Sequence, residues 1–198
     1  VKQKDDLEYI MSEDNYKMQE KSEVWSAACC KMSATHPDEV QVYHSIKEFY
    51  DFLNSLEKAN YEFWAHNAGF DFTFIVDYFM ITLGKVYAKD NKLDNNSFKM
   101  TMTSSGLYYN LTFKNDNDAT IKILDSYKLC NQKLEKLGND LKTKHQKLEM
   151  EYAGKMYPGC EITDEQMAYI KNDCLVLAEA LTKLRDAGVS ANTAASTC

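Results

Sequence analysis

The chain has 198 residues, 44% of them hydrophobic and 27% charged, with a formal net charge of −7. That length suits one domain with its own core, the acidity argues against a non-specific duplex binder, and no apolar run reaches the ~18 residues that span a bilayer. The polar start, Val1 to Asp6, is not a signal peptide, so the expected setting is the cytoplasm, a host cell's if the protein is viral. The six cysteines show no C-x-x-C spacing and read as buried free thiols.

In chain order, a strand is predicted over Leu7–Met11, a clearer one over Val24–Cys30, and a third with period 2 over Val40–Tyr43. Ser45, with Glu48 three residues on, opens a helix carrying Ile46, Phe49, Phe52, Leu53 and Leu56. Tyr61–His66 reads as a buried strand, broken at Asn67-Ala68-Gly69. Phe70 to Leu83 is apolar and aromatic along most of its length, which predicts a buried helix ending near Gly84. After a polar loop over Asp90–Asn96, strands are predicted at Lys99–Thr103, Leu107–Phe113 and Ala119–Leu124, the last two joined by an Asn/Asp turn. A helix over Gln132–Leu141 precedes a basic stretch, Lys142–Lys147, and a turn at Tyr157-Pro158-Gly159. The last helix has a capping box at Thr163 and Gln166, an apolar stripe from Met167 to Leu184, and Gly188 as its stop. Strands first, then strands mixed with helices, imply an α/β layer fold with a mixed sheet.

Two aspartates have unusual surroundings. Asp71 follows a strand and a glycine break inside an apolar run, where an unpaired carboxylate is costly; a metal ion would be one partner, a helix N-terminus another. Tyr169 and Asp173 stand four residues apart on the last helix and so share a face at the rim of its apolar stripe, where a cleft can form. Taken singly, each fits an ordinary structural role as well.

Together they match a known pattern. Asn67, Phe70 and Asp71 resemble the second exonuclease motif, Asn-x-x-x-Phe-Asp, of family B DNA polymerases, and Tyr169 to Asp173 resembles the third, Tyr-x-x-x-Asp. Tyr169-Ile170-Lys171-Asn172-Asp173, the Ala178-Glu179-Ala180-Leu181 that follows, Glu161-Ile162-Thr163 before it, and Val24-Trp25 resemble the protein-primed phage and plasmid group. The resemblance covers nearly the whole chain. It implies a ribonuclease H-like exonuclease fold, a mixed central β-sheet flanked by α-helices, and 3′–5′ hydrolysis of single-stranded DNA with two Mg²⁺ or Mn²⁺ ions.

On that resemblance Asp71 and Asp173 are metal ligands, Tyr169 orients the attacking water, and Asn67 and Phe70 hold the frayed 3′ end. Ser126-Tyr127-Lys128-Leu129-Cys130 is similar to the single-strand-binding segment, with Tyr127 where Leu is usual, so Ser126 and Tyr127 are DNA-binding candidates. Lys147-Leu148-Glu149-Met150 is similar to the Lys-x-x-apolar segment, which would put Lys147 on the scissile phosphate. The first motif, Asp-x-Glu, departs from the pattern. Counting back from Trp25 puts Ser12-Glu13-Asp14 in its place, keeping Asp14 as a metal ligand and losing the acid at Ser12; Asp6-Leu7-Glu8 has the literal pattern but needs a longer loop.

Residues 1–187 are then the exonuclease domain, and 188–198 the start of a connection to a polymerase portion with no palm aspartates in this chain. The expected partners are a single-stranded DNA 3′ end, the rest of a DNA polymerase and a terminal protein primer, with no membrane. Competing readings are a degenerate exonuclease fold that binds single-stranded DNA without cutting, a stand-alone nuclease of the same acidic superfamily, and a purely structural module.

Overall fold

The computed structural model describes residues 23–88, 92–102, 108–150 and 156–190. The expected strand at Leu7–Met11, both registers of the first motif and the tail after residue 190 lie outside them.

The central sheet holds five strands: β3 (Asn60–Ala65), β4 (Val86–Tyr87), β5 (Ser97–Met102), β6 (Tyr108–Lys114) and β7 (Thr120–Asp125), in the order β3-β7-β6-β5-β4. It is mixed, as expected: β3 runs parallel to β7 and β4 to β5, while β6 is antiparallel to both neighbours. Period-2 alternation sends Leu111, Phe113, Ile121 and Ile123 to one face, where Leu111 pairs with Ile123 and Phe113 with Ile121 across the ladder. Tyr50 and Leu53 from helix α1 (Ile46–Ser55), and Phe72 from helix α2 (Gly69–Asp77), close over that face.

The turn between β6 and β7 is tied into this core by Asn115. Its amide donates to the carbonyls of Leu53 (3.0 Å) and Leu56 (2.8 Å), and its Oδ1 accepts from the Ala119 N–H (2.8 Å). Two short helices follow β7, α3 (Tyr127–Cys130) and α4 (Leu134–Leu141). The long α5 (Asp164–Asp186) is the last element among the described residues. It packs on α4 and on a separate two-stranded ribbon, β1 (Ala27–Cys29) with β2 (Gln41–Tyr43), through Leu175 against Ala34 and Val40. Thr163 and Gln166 cap α5 reciprocally, and Gly188 takes φ 90° just past its end.

Three expectations need correction. The strand at Val24–Cys30 shrinks to β1, because β2 offers it only three partners. The helix expected over Phe70–Leu83 stops at Asp77 and widens into a π turn, Tyr78–Thr82, where the Leu83 N–H reaches the Tyr78 carbonyl. That segment is not buried all round: Phe72 and Phe79 enter the core, while Phe70 (67% exposed) and Ile81 (75%) face out. In a run this apolar, interrupted only by Asp71, Thr73, Asp77 and Thr82, the periodicity is too weak to read the buried side. Finally, at Ser45 the Glu48 carboxylate accepts from His44 N–H (2.7 Å), one residue earlier than a capping box requires, while the Ser45 hydroxyl caps the Glu48 N–H as predicted.

Candidate active site

Strands β3 and β7 are parallel and end level, Ala65 opposite Asp125. The carboxyl ends of parallel strands are where open α/β sheets collect ligands, and here both strands deliver polar residues to the same edge. Asp125 is 2% exposed, and its Oδ1 accepts two backbone N–H groups, from Asn67 at 2.8 Å and Tyr127 at 3.0 Å. Those bonds hold the two chain reversals that follow the strands. Asn67 sits in the left-handed region, φ 59°, which asparagine tolerates better than most residues. Its side chain and that of Phe70 are thereby left exposed.

His66 and Ser126, the next residues along the two strands, meet directly, His66 Nδ1 lying 2.9 Å from Ser126 Oγ. Ser126 is fully buried and its hydroxyl also donates to the Ala65 carbonyl (2.8 Å). The structure therefore buries Ser126 as a brace for His66, while its neighbour Tyr127 lies part-exposed with its ring edge-on to His66 (centroids 5.8 Å apart). Burial holds the His66 imidazole below its ordinary range, against the opposing pull of Asp125.

A second cluster forms where the loop after α4 crosses α5. Lys147 Nζ donates to Tyr169 Oη (2.9 Å) and pairs with Asp173 Oδ2 (2.5 Å), its ammonium 4.8 Å from the Tyr169 ring centroid. The four-residue spacing of Tyr169 and Asp173 thus presents both to one cation, as the helix face predicted. Burial alone would lower Lys147, but the bonds to Asp173 and Tyr169 outweigh it and the ammonium is held above its ordinary value. The other oxygen of Asp173, Oδ1, is buried without a hydrogen-bond donor among the described residues.

Asp71 lies in the first turn of α2, open to solvent on one side and crowded by protein on the others. Desolvation first, and the charge of Asp125 second, push its carboxyl above the ordinary range. His66 connects the two clusters electrostatically, sensing Asp125 on one side and Lys147 and Asp173 on the other.

Two carboxylates, one with a spare oxygen and one destabilised as an anion, fit a hard divalent cation by donor chemistry. Among the described residues, however, no three His, Cys, Asp or Glu side chains converge to hold a metal ion. Asp14 and the Asp6-Leu7-Glu8 alternative, the first-motif candidates, lie before Glu23, outside the described residues.

Asp125 and His66 were missing from the sequence-derived site. Each stands at a strand end directly before a segment singled out for chemistry, Asp125 closing β7 and His66 following β3, but the partners that define their roles lie across the parallel pair.

Comparison with known proteins bears on the family and the fold. Residues 53–159, more than half of the chain, match the model of DNA polymerase type B, organellar and viral. The chain belongs to that polymerase family. It is 27% identical over 154 residues to the DNA polymerases of Bacillus phages PZA and phi29. These matches cover 76% of the chain but 26% of each relative, so the chain spans about a quarter of their length. Among solved structures, phi29 DNA polymerase complexed with single-stranded DNA superposes with a TM-score of 0.76 at 25% identity, over 88% of this chain and 30% of that one. Its complex with primer-template DNA gives 0.77 at 24% identity, over 89% and 31%. The type B polymerase chain thus has the mixed α/β fold of the exonuclease region of the protein-primed phage enzyme, as its motifs implied. Among the described residues no helix is long and apolar enough to cross a membrane.

Proposed function

We propose that this chain is the 3′–5′ proofreading exonuclease portion of a protein-primed family B DNA polymerase, with residues 1–187 the exonuclease domain and 188–198 the start of the link to the polymerase portion. The observation that carries the reading is the convergence of Lys147, Tyr169 and Asp173 beside the level ends of β3 and β7, with Asp71 and Asp125 at that edge. The solved complex of phi29 DNA polymerase with single-stranded DNA supports single-stranded DNA as the ligand. The rest of the polymerase and a terminal protein primer are the proposed partners, in a host cell's cytoplasm.

In this reading Asp71, Asp173 and Asp14 hold two Mg²⁺ or Mn²⁺ ions, which when bound supply an activated water and neutralise the leaving 3′ oxygen. The protein's own groups do the rest. Exposed Asn67 and Phe70 and part-exposed Tyr127 hold the unpaired 3′ end, Phe70 and Tyr127 by stacking on bases. Lys147, kept protonated by Asp173 and Tyr169, offers a positive charge to the scissile phosphate. The Tyr169 hydroxyl, which accepts from Lys147, keeps its own proton to donate to the water or phosphate oxygen it faces. Ser126 and Asp125 orient His66, Asn67 and Tyr127 from below.

A second reading is a module that binds single-stranded DNA without cutting. Ser12 in the first motif favours it, as does the absence of a three-ligand cluster among the described residues. Degradation of a 5′-labelled single-stranded DNA with Mg²⁺ or Mn²⁺ separates the two. Stepwise loss from the 3′ end that disappears in Asp173→Ala is expected. Binding without cleavage by the folded wild type would establish the second reading instead.

A further inference from the structure

Lys147 sits on a loop without regular structure, yet its ammonium must keep one position if it is to meet a phosphate. The restraint with the most bonds comes from a side chain on α5, Glu179. Both carboxylate oxygens of Glu179 accept the Lys144 N–H, at 2.7 and 2.8 Å, and Oε2 also accepts the His145 N–H at 3.3 Å. The His145 ring lies 3.6 Å from the same oxygen and Lys183 Nζ 3.9 Å from the other. Burial would raise this carboxyl, but the captured N–H groups prevail and hold it below its ordinary range. Nearby bonds finish the loop: Thr143 Oγ1 donates to the His145 carbonyl (2.6 Å), and Asn172 Nδ2 to the Gln146 carbonyl (2.5 Å).

We propose that Glu179 is the positioning residue for Lys147: by clamping the Lys144 and His145 N–H groups to α5, it fixes where the Lys147 ammonium stands relative to Asp173. Glu179 and Asp173 ride on the same helix, six positions apart, so the anchor of the loop and the partner of the lysine move as one rigid piece. Only two residues separate Lys147 from the clamped Lys144. A loop released at that point frees its lysine, and an ammonium on a four-carbon stem holds no position of its own. Glu179 touches neither Lys147 nor any site where a substrate would lie, so its effect must pass through the loop.

The inference rests on the role given to Lys147 above, and the test separates the two. The first arm needs no nuclease activity. Full-length wild type, Glu179→Ala and Glu179→Gln are treated briefly with acetic anhydride, and each lysine is mapped. Lys147 should be acetylated severalfold faster in Glu179→Ala, with Lys136 unchanged, and at an intermediate rate in Glu179→Gln, whose single amide oxygen still accepts an N–H. An unchanged Lys147 rate in a folded variant would overturn the proposal, and Glu179→Gln carries the arm if the alanine variant does not fold.

The second arm measures 3′-end degradation. Glu179→Ala should lower kcat by about tenfold to a hundredfold with KM within about twofold, the signature of a misplaced group rather than lost binding. In a Lys147→Ala background it should cost nothing more; an equal loss in both backgrounds would also overturn the clamp. Wild type that cuts no DNA while the labelling pattern holds would refute the nuclease reading and leave the clamp standing.

Discussion

Asp125 tests most directly whether the edge of the sheet organises the site. It is buried, and its Oδ1 takes the N–H groups of Asn67 and Tyr127, while its only described cation is Lys128, 3.8 Å from Oδ2. Removing that acceptor with Asp125→Ala forfeits two hydrogen bonds to a charged group, about 1.5–3 kcal/mol each. Relief of a poorly paired buried charge offsets part of this, leaving a net loss of ~2–4 kcal/mol. Asp125→Asn keeps an oxygen in the same place. Its bonds weaken to neutral strength, the desolvated charge disappears, and the two effects nearly cancel, within about 1 kcal/mol. Urea unfolding reads both: the midpoint should fall markedly for Ala and little for Asn, with the slope unchanged. A carbon-detected NMR titration adds a second reading. In Asp125→Asn the Asp71 carboxyl should fall back toward its ordinary range, because one of its two causes of elevation is gone while burial remains. An alanine variant as stable as wild type, or an Asp71 titration that does not move, would refute this account of the site.

Other expectations follow from the same structure. Asp118 is depressed to about 2 by Lys114 and Lys58, so the pair network stabilises the fold fully above the ordinary Asp value of 3.8 and loses its contribution as pH falls toward about 2. The stability difference between wild type and Asp118→Asn should close over that window, and should shrink in high salt because the groups are exposed. Gly138 lies where α4 meets its own loop and α5; a Cβ there would stand 3.0 Å from Thr143 Oγ1 and 3.2 Å from Val176 Cγ1. Gly138→Ala gains about 1 kcal/mol of helix propensity but overpacks by ~1–3 kcal/mol, so the urea midpoint should drop, and an increase would show that the loop yields. Phe70→Ala should leave the midpoint nearly unchanged, since the ring is mostly exposed and packs only edge-on against Phe74 (4.8 Å), yet weaken single-stranded DNA binding by ~1–3 kcal/mol.

The sequence made the sheet legible wherever period 2 survives, as in Leu111-Thr112-Phe113 and Ile121-Lys122-Ile123, and the last helix legible through its capping box and Gly188. It could not show which side of the run from Phe70 to Leu83 turns inward, because apolar residues fall on every side of it and the buried set is chosen by what α1 and the sheet offer. The two-residue β4 is shorter than any pattern. At the site, Tyr169 and Asp173 were readable as a pair because a helix repeats, and their meeting with Lys147 was not, since the contact spans 22 and 26 positions through an irregular loop. Asp125 escaped notice for a related reason. Its role is to accept the N–H of Asn67 across the parallel strand pair, and no local signal marks the residue that will lie level with Ala65.

Charge balance at the site gives a way to decide between cutting and binding. Asp71, Asp125 and Asp173 face Lys128 and Lys147, and Lys147 occupies only Oδ2 of Asp173. One negative charge is therefore uncompensated, and the Asp71 carboxyl, already raised by desolvation, is raised further by the charge of Asp125. The Ser12/Asp14 register of the first motif would add one further acid to this cluster; Asp6 and Glu8 would add two. Each addition makes the native state more costly without a cation and more stabilised with one, since a ligand held only by the folded form stabilises by RT ln(1 + [L]/Kd), about 2.7 kcal/mol at a hundredfold excess over Kd. A metal-holding site should accordingly show a rise in Tm with Mn²⁺ that Asp71→Asn abolishes. Asp71→Asn should itself raise Tm in chelator, because it removes the desolvated charge. If Mn²⁺ leaves Tm unmoved while single-stranded DNA raises it, the cluster compensates itself through its lysines and the groove is built to hold a strand, with Asp173 Oδ1 left as the mark of a ligand the site no longer takes.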